Sequence, residues 1–420
     1  MSRPQTTFTR ALGLGLITGA ADDDPSAIGT YATAGATLGT SFLWTAPVTF
    51  PMMVVVVYLS SKLGQVTGKG LFDVIRDHYP IVILRCALVG VLIGNTIEAG
   101  ADLGGMAAAV GVLFPGMPLP PIVVAIAVAI VAVQVLGSYT LIRAVFRWLA
   151  LSLFAYVAAA FLSGPDWSAV AYGTLVPHLR PDRTSLSLLV AVIGTTLSAY
   201  LFTWQSNQEV EEEIAQGRRR LIDRLGATRT ELRESRRDIT IGMLFSNLIM
   251  FFIILSTAAT LHVHGHTQIA SAADAAAALQ PFAGKAAGML FALGVVSVGF
   301  LAVPIMTTGA AYDTCQVLGW RHGLHARPAD AKGFYLLIAA FTAVGVAMNF
   351  VGINPMKALV VAGIVQGFST PPLMAMIVRL TSDRRVMGSA VNGTPLVLLG
   401  WATVVAIFAA TAGLVVSWLA

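Results

Sequence analysis

Charge is what this chain is shortest of. Only 11% of its 420 residues are Asp, Glu, Lys or Arg, while 56% are hydrophobic. That balance excludes a soluble globular enzyme, in which roughly a quarter of the residues are charged. Cysteine is nearly absent as well: Cys86 and Cys315 lie in or near apolar segments and are too few for a disulfide framework. There is no low-complexity tract, and no Walker loop, nucleophile elbow or metalloprotease helix.

Long apolar runs take the place of these features. A helix needs about 20 apolar residues to cross a bilayer. Eleven stretches qualify, at approximately 11–36, 42–63, 81–114, 120–138, 145–163, 185–206, 239–262, 286–316, 333–351, 356–380 and 394–418. The chain therefore reads as an all-α polytopic membrane protein of about 11 transmembrane helices. Its basic residues orient it. With the N-terminus in the cytoplasm only Arg180, Arg183, Lys285 and Lys357 fall outside, leaving 22 of the 26 Lys and Arg residues inside. This asymmetry predicts N-terminus in, C-terminus out, in a membrane such as the bacterial inner membrane. It also argues against a nucleic-acid role for the Arg-rich stretch 205–238, which reads as a cytoplasmic helical linker between two halves of a protein whose partner is the lipid bilayer. Five spans precede the sixth and five run from the sixth to the tenth, the count for two inverted five-helix repeats, about 11–163 and 185–380, plus an extra helix at 394–418 within one transporter domain over 1–420. The competing reading of the first run is a cleaved signal peptide ending at Gly19-Ala20-Ala21. Its removal would disturb the charge asymmetry.

Inside the first run sit Asp22, Asp23, Asp24 and Pro25. Ionised carboxylates at bilayer depth persist where they face a cavity, an ion or a partner, and proline breaks the helix beside them and frees carbonyls. Successive helical residues are about 100° apart, so the three acids cannot share one cavity unless the helix unwinds. Asp24, next to Pro25, is the best candidate for the unwound position. The alternative is that the acids cap the second half of the broken helix. Span three carries Asn95, Glu98 and Asp102 on one face, either a cation vestibule or proton path or a hydrogen-bonded packing seam. Span six offers hydroxyls at Thr195 and Ser198, then Tyr200, and an acidic exit at Glu209, Glu211, Glu212 and Glu213, which reads as a solvated helix end. His262, His264 and His266 alternate at the end of span seven, a weak transition-metal pattern.

The stretch Asp24-Pro25-Ser26-Ala27-Ile28-Gly29-Thr30-Tyr31 resembles the first helix of the natural resistance-associated macrophage protein (Nramp) family, whose hallmark there is Asp-Pro-Gly-Asn. The likeness extends through Gly194-Thr195-Thr196, Leu279-Gln280-Pro281, Thr307-Thr308-Gly309 and Thr381-Ser382-Asp383-Arg384-Arg385. It implies a LeuT-type fold with discontinuous helices 1 and 6 and divalent-metal uptake, usually coupled to protons. Departures accompany the matches. The family asparagine falls on Ala27, and the family Met-Pro-His-Asn of helix 6 falls on Ser198, Ala199, Tyr200 and Leu201; a family glutamine of helix 10 falls near Gly363, with Gln366 one turn on. Asp102 aligns with a family glutamate, and Glu98 lies one position off a family aspartate. The chain thus resembles the Nramp-related branch proposed to handle magnesium. The missing histidine puts proton coupling in doubt, and oxygen-only donors suit Mg²⁺ and Mn²⁺ better than soft metals.

The expected function is a secondary transporter of divalent cations of the Mg²⁺/Mn²⁺ class, with Fe²⁺ within reach, working by alternating access. The metal would be a substrate, and no cofactor is expected. Asp24 would be the anionic ligand, with oxygens from Ala21, Thr195 and Ser198, while Asp22, Asp23, Asn95, Glu98, Asp102, Tyr200 and Gln366 would form a cation path or proton relay. The rivals are a carrier of another solute on the same fold, a membrane sensor that binds without transport, and an intramembrane hydrolase pairing Asp24 with Asp102.

Overall fold

A computed structural model describes residues 14–136 and 153–419. All regular structure among the described residues is helical. In chain order the main helices are α1 (Leu14–Asp22), α2 (Pro25–Leu38), α3 (Thr45–Thr67), α4 (Leu71–His78), α5 (Ile81–Leu113), α6 (Leu119–Leu136), α7 (Phe154–Leu162), α8 (Trp167–Leu175), α9 (Arg183–Thr196), α10 (Ala199–Ala215), α11 (Arg229–Thr257), α12 (Ala287–Leu318), α13 (Lys332–Met348), α14 (Pro355–Ser382) and α15 (Thr394–Leu419). Ten of the eleven apolar runs overlap one of these helices or two that follow each other in the chain, and the described part of the fifth lies in α7. By length and composition seven segments among the described residues can cross a membrane, and Leu119–Gln134 and Lys332–Met348 are shorter apolar helices. The signal-peptide reading concerns residues that lie mostly outside the described ones.

Two apolar segments are broken in the middle. The first stops at Asp22 and restarts at Pro25, because Pro25 cannot donate a backbone hydrogen bond and is tolerated only in the first turn of the new helix. The sixth breaks between Thr196 and Ala199 although it has no proline there. Here Ser198 is extended (φ −61°, ψ 138°), and its one O–H has the carbonyls of Gly194 and Thr195, 3.0 Å each, and Glu98 as alternative acceptors, competing with the helical ladder.

The linker is shorter than the polar composition suggests. Helix α10 continues to Ala215 and α11 already begins at Arg229. The acidic end of span six is correspondingly not solvated: Glu209, Glu211 and Glu213 are buried, and only Glu212 is exposed. The reason is packing of α10 on α3 and α12. Glu209 accepts from Ser61 (2.6 Å) and Gln205 (2.9 Å), and Glu213 pairs with Arg218 at 3.2 Å.

Close approach of α9 and α14 fixes the upper half of the break. A β-carbon built on Gly194 would lie 2.0 Å from the carbonyl oxygen of Gly363 and 2.4 Å from the nitrogen of Gly367, both rigid backbone atoms. Gly194→Ala is therefore expected to destabilise by roughly 1–3 kcal/mol through overpacking. Scanning fluorimetry of the purified chain should show a lowered unfolding temperature; an unchanged one would mean the two helices are not in this contact.

Candidate cation site

Asp24 sits at the break, extended (φ −63°, ψ 172°), and caps α2. Its Oδ1 accepts from the backbone of Ala27 (2.7 Å) and the hydroxyl of Ser26 (2.8 Å). Capping, held open as an alternative from the sequence, is thus what Asp24 does, but it occupies only one oxygen. The other, Oδ2, faces Tyr200, whose hydroxyl lies 3.1 Å from it and 2.9 Å from the carbonyl oxygen of Ala21. One O–H is shared between a carboxylate and a carbonyl that the break of the first helix has freed. A carboxylate offers about four lone-pair directions, and Asp24 uses three.

Ser26 gathers the neighbouring acids. Its hydroxyl lies 2.8 Å from Asp24 Oδ1, 3.2 Å from Glu98 Oε1 and 3.2 Å from the hydroxyl of Thr195, and its backbone N–H donates to Asp102 Oδ1 at 2.8 Å. Glu98 also accepts from Ser198 (3.1 Å) and, on Oε2, from the amide of Gln366 (2.6 Å), which in turn reaches Asn95 at 3.2 Å. Asp24, Glu98, Asp102, Thr195, Ser198, Tyr200, Asn95 and Gln366 all lie at 0% exposure. No ion pair among the described residues involves any of the three carboxyl groups. Three acids around one serine, buried without a basic partner, form an environment that favours a cation. Asp102 Oδ2 has no hydrogen-bond partner at all.

The structure separates the acids that adjoin one another in sequence. Asp22 and Asp23 turn away from Asp24 toward α11, where the hydroxyl of Ser246 lies 2.5 Å from Asp22 and 3.3 Å from Asp23. Thr195 and Ser198 are both at the site, with the Ser198 hydroxyl 3.0 Å from the Thr195 carbonyl oxygen. Gln366 supplies the amide at the break because Gly363 has no room for one: a β-carbon there would lie 2.8 Å from the Ala191 carbonyl oxygen. The three histidines are remote from the site. His262 and His264 bond the Ala36 and Thr260 carbonyls at 2.8 and 2.7 Å and line a separate cavity of about 540 Å³. Among the described residues no three His, Cys, Asp or Glu side chains converge on a common ion position. Sequence reasoning passed over Ser26, although an Asp-Pro-Ser sequence at a helix start is a recognisable capping signal.

Comparison with known proteins gives the family. The family profile described as "Natural resistance-associated macrophage protein-like" matches residues 15–417. The chain belongs to the Nramp family. Nramp proteins are membrane transporters, not enzymes. The chain is similar to the divalent metal cation transporter MntH of Granulibacter bethesdensis, 25% identical over 399 residues that make up 93% of this chain and 84% of that one. In structure it resembles the Eremococcus coleocola manganese transporter, with a TM-score of 0.75 at 16% identity over 99% of this chain and 88% of that one. It also resembles the inward-facing conformation of Mhp1, with a TM-score of 0.53 at 14% identity over 99% and 94%. The Nramp chain described here thus has a LeuT-type fold.

Proposed function

We propose that this Nramp protein carries divalent metal cations of the Mg²⁺/Mn²⁺ class across the cytoplasmic membrane by alternating access, binding the ion between Asp24 Oδ2 and the Ala21 carbonyl. The observation that carries the reading is the Tyr200 hydroxyl, poised between those two oxygens at 3.1 and 2.9 Å. A hydroxyl in that position stands where a cation would bridge a carboxylate and a freed carbonyl. Rotation of Tyr200 would uncover both ligands together, so that opening of the site and exposure of the anion are one event.

The donors within reach are hard. Ser26, Thr195 and Ser198 hydroxyls surround the carboxylate, and no thioether or imidazole is among them. Mg²⁺ keeps several of its waters and Mn²⁺ accepts oxygen ligands, so hydroxyls that hold water serve such ions. The MntH relative and the manganese transporter with the same fold support a divalent metal as the cargo. Glu98 and Asp102 would set the negative field of the entry. With Tyr200 in place of the family histidine, proton movement is not required by this site.

Saturable Mn²⁺ uptake into liposomes by the purified chain, exceeding one ion per protein, is the expected result. Binding without such turnover would favour a sensor, and the absence of both binding and uptake would favour another solute. The charge asymmetry supports an N-terminus inside and a C-terminus outside. A reporter fused after Ala420 should accordingly be accessible only from outside, and cytoplasmic labelling would reverse the orientation.

A further inference from the structure

The carboxylate of Asp313 is buried in α12 at 0% exposure, with neither oxygen hydrogen-bonded. No ion pair among the described residues reaches it. A lone carboxylate at membrane depth is costly unless a cation or another partner compensates it. Facing α12 is one side of α10 on which Thr203, Asn207 and Glu211 recur every four residues, a spacing that aligns them on a helix. Thr203 lies against Gly309 and its hydroxyl interacts with the Asp313 carboxylate, although its own bond goes to the Tyr200 carbonyl at 3.2 Å. Asn207 accepts from Gln316 at 2.6 Å, and Glu211 accepts from Tyr312 at 2.5 Å and contacts His325. The seam between the two helices is therefore polar from the break beside Tyr200 to the end of α10 at the linker, and Asp313 is its one acid left without a bond.

We propose that Asp313 is a second cation-binding carboxylate, which takes the hard divalent ion after it leaves Asp24, with the Thr203 hydroxyl and the Asn207 amide oxygen as neutral donors. The inference rests on the transport reading above. The ion reaches Asp313 when α10 and α12 part. Thr203 then exchanges its bond to the Tyr200 carbonyl for the ion, and Asn207 exchanges its bond to Gln316.

Two measurements on the full chain test this, with Mn²⁺ as the only metal. By equilibrium dialysis in lipid nanodiscs, Asp24→Asn should retain a weaker residual Mn²⁺ site, and adding Asp313→Asn should weaken that residue of binding at least tenfold. In liposomes, with Asp24 intact, Asp313→Asn should lower uptake turnover at least tenfold with KM changed less than twofold, and Asp313→Glu should restore part of it. A purely structural carboxylate predicts otherwise, since the uncharged isostere would leave turnover as it is. Residual binding that is absent, or that Asp313→Asn leaves unchanged, overturns the proposal even where wild-type transport is normal. Residual binding that depends on Asp313 in a chain without Mn²⁺ flux sustains the proposal and refutes the transport reading.

Discussion

Asp24→Asn is expected to weaken Mn²⁺ binding at least 100-fold, about 2.7 kcal/mol, while the protein stays folded and monodisperse. The asparagine keeps the helix cap, because its side-chain oxygen can still accept from Ala27 at the position Asp24 Oδ1 now holds. It loses the charge that compensates a divalent ion in a buried site. Asp24→Ala removes cap and charge together and should cost about 1 kcal/mol of stability besides. Comparing the two variants by isothermal titration and thermal unfolding separates the roles. Unchanged affinity in Asp24→Asn would transfer the ligand role to another acid, with Asp102 and its unpartnered Oδ2 the nearest alternative.

Ser198→Met should shift selectivity by about tenfold, or about 1.4 kcal/mol, toward Cd²⁺ or Fe²⁺ relative to Mg²⁺. Ser198 is fully buried at the lip of the break, and its hydroxyl lies 3.1 Å from Glu98. A thioether there would add a soft donor and take up room that a hydrated ion needs. Mg²⁺ transport should therefore stay level or fall, and overpacking should cost roughly 1–3 kcal/mol of stability. Competition assays in liposomes read the ratio directly. A metal ranking that does not move in the variant would mean that the ion binds away from Ser198.

The fold was legible because the bilayer imposes a length on every apolar run, and the break in the first helix because Pro25 has only one tolerable place in it. The break in the sixth helix was less so. Nothing in Thr195-Thr196-Leu197-Ser198 marks an interruption as proline does, and the resemblance alone suggested one. Asp24 was identifiable from its neighbour Pro25, whereas the separation of Asp22 and Asp23 toward Ser246 depends on how α1 rotates against α11, a tertiary matter. The burial of Glu209, Glu211 and Glu213 escaped for a similar reason: charge at a helix end reads as solvated unless Ser61, Tyr312 and Arg218 are known to be waiting for it. Tyr200 was placed on the path, but its position between Asp24 and Ala21 could come only from the geometry.

The central claim is an all-oxygen site for a hard divalent ion, and inhibition of Mn²⁺ uptake by Mg²⁺ and by Cd²⁺ in liposomes containing the wild-type chain tests it most directly. Mg²⁺ should compete for uptake, with Cd²⁺ showing an advantage of no more than about tenfold, since no soft donor reaches the ion. Cd²⁺ that inhibits at concentrations 100-fold or more below Mg²⁺, an advantage of about 2.7 kcal/mol, or Mg²⁺ that does not inhibit at all, would contradict it.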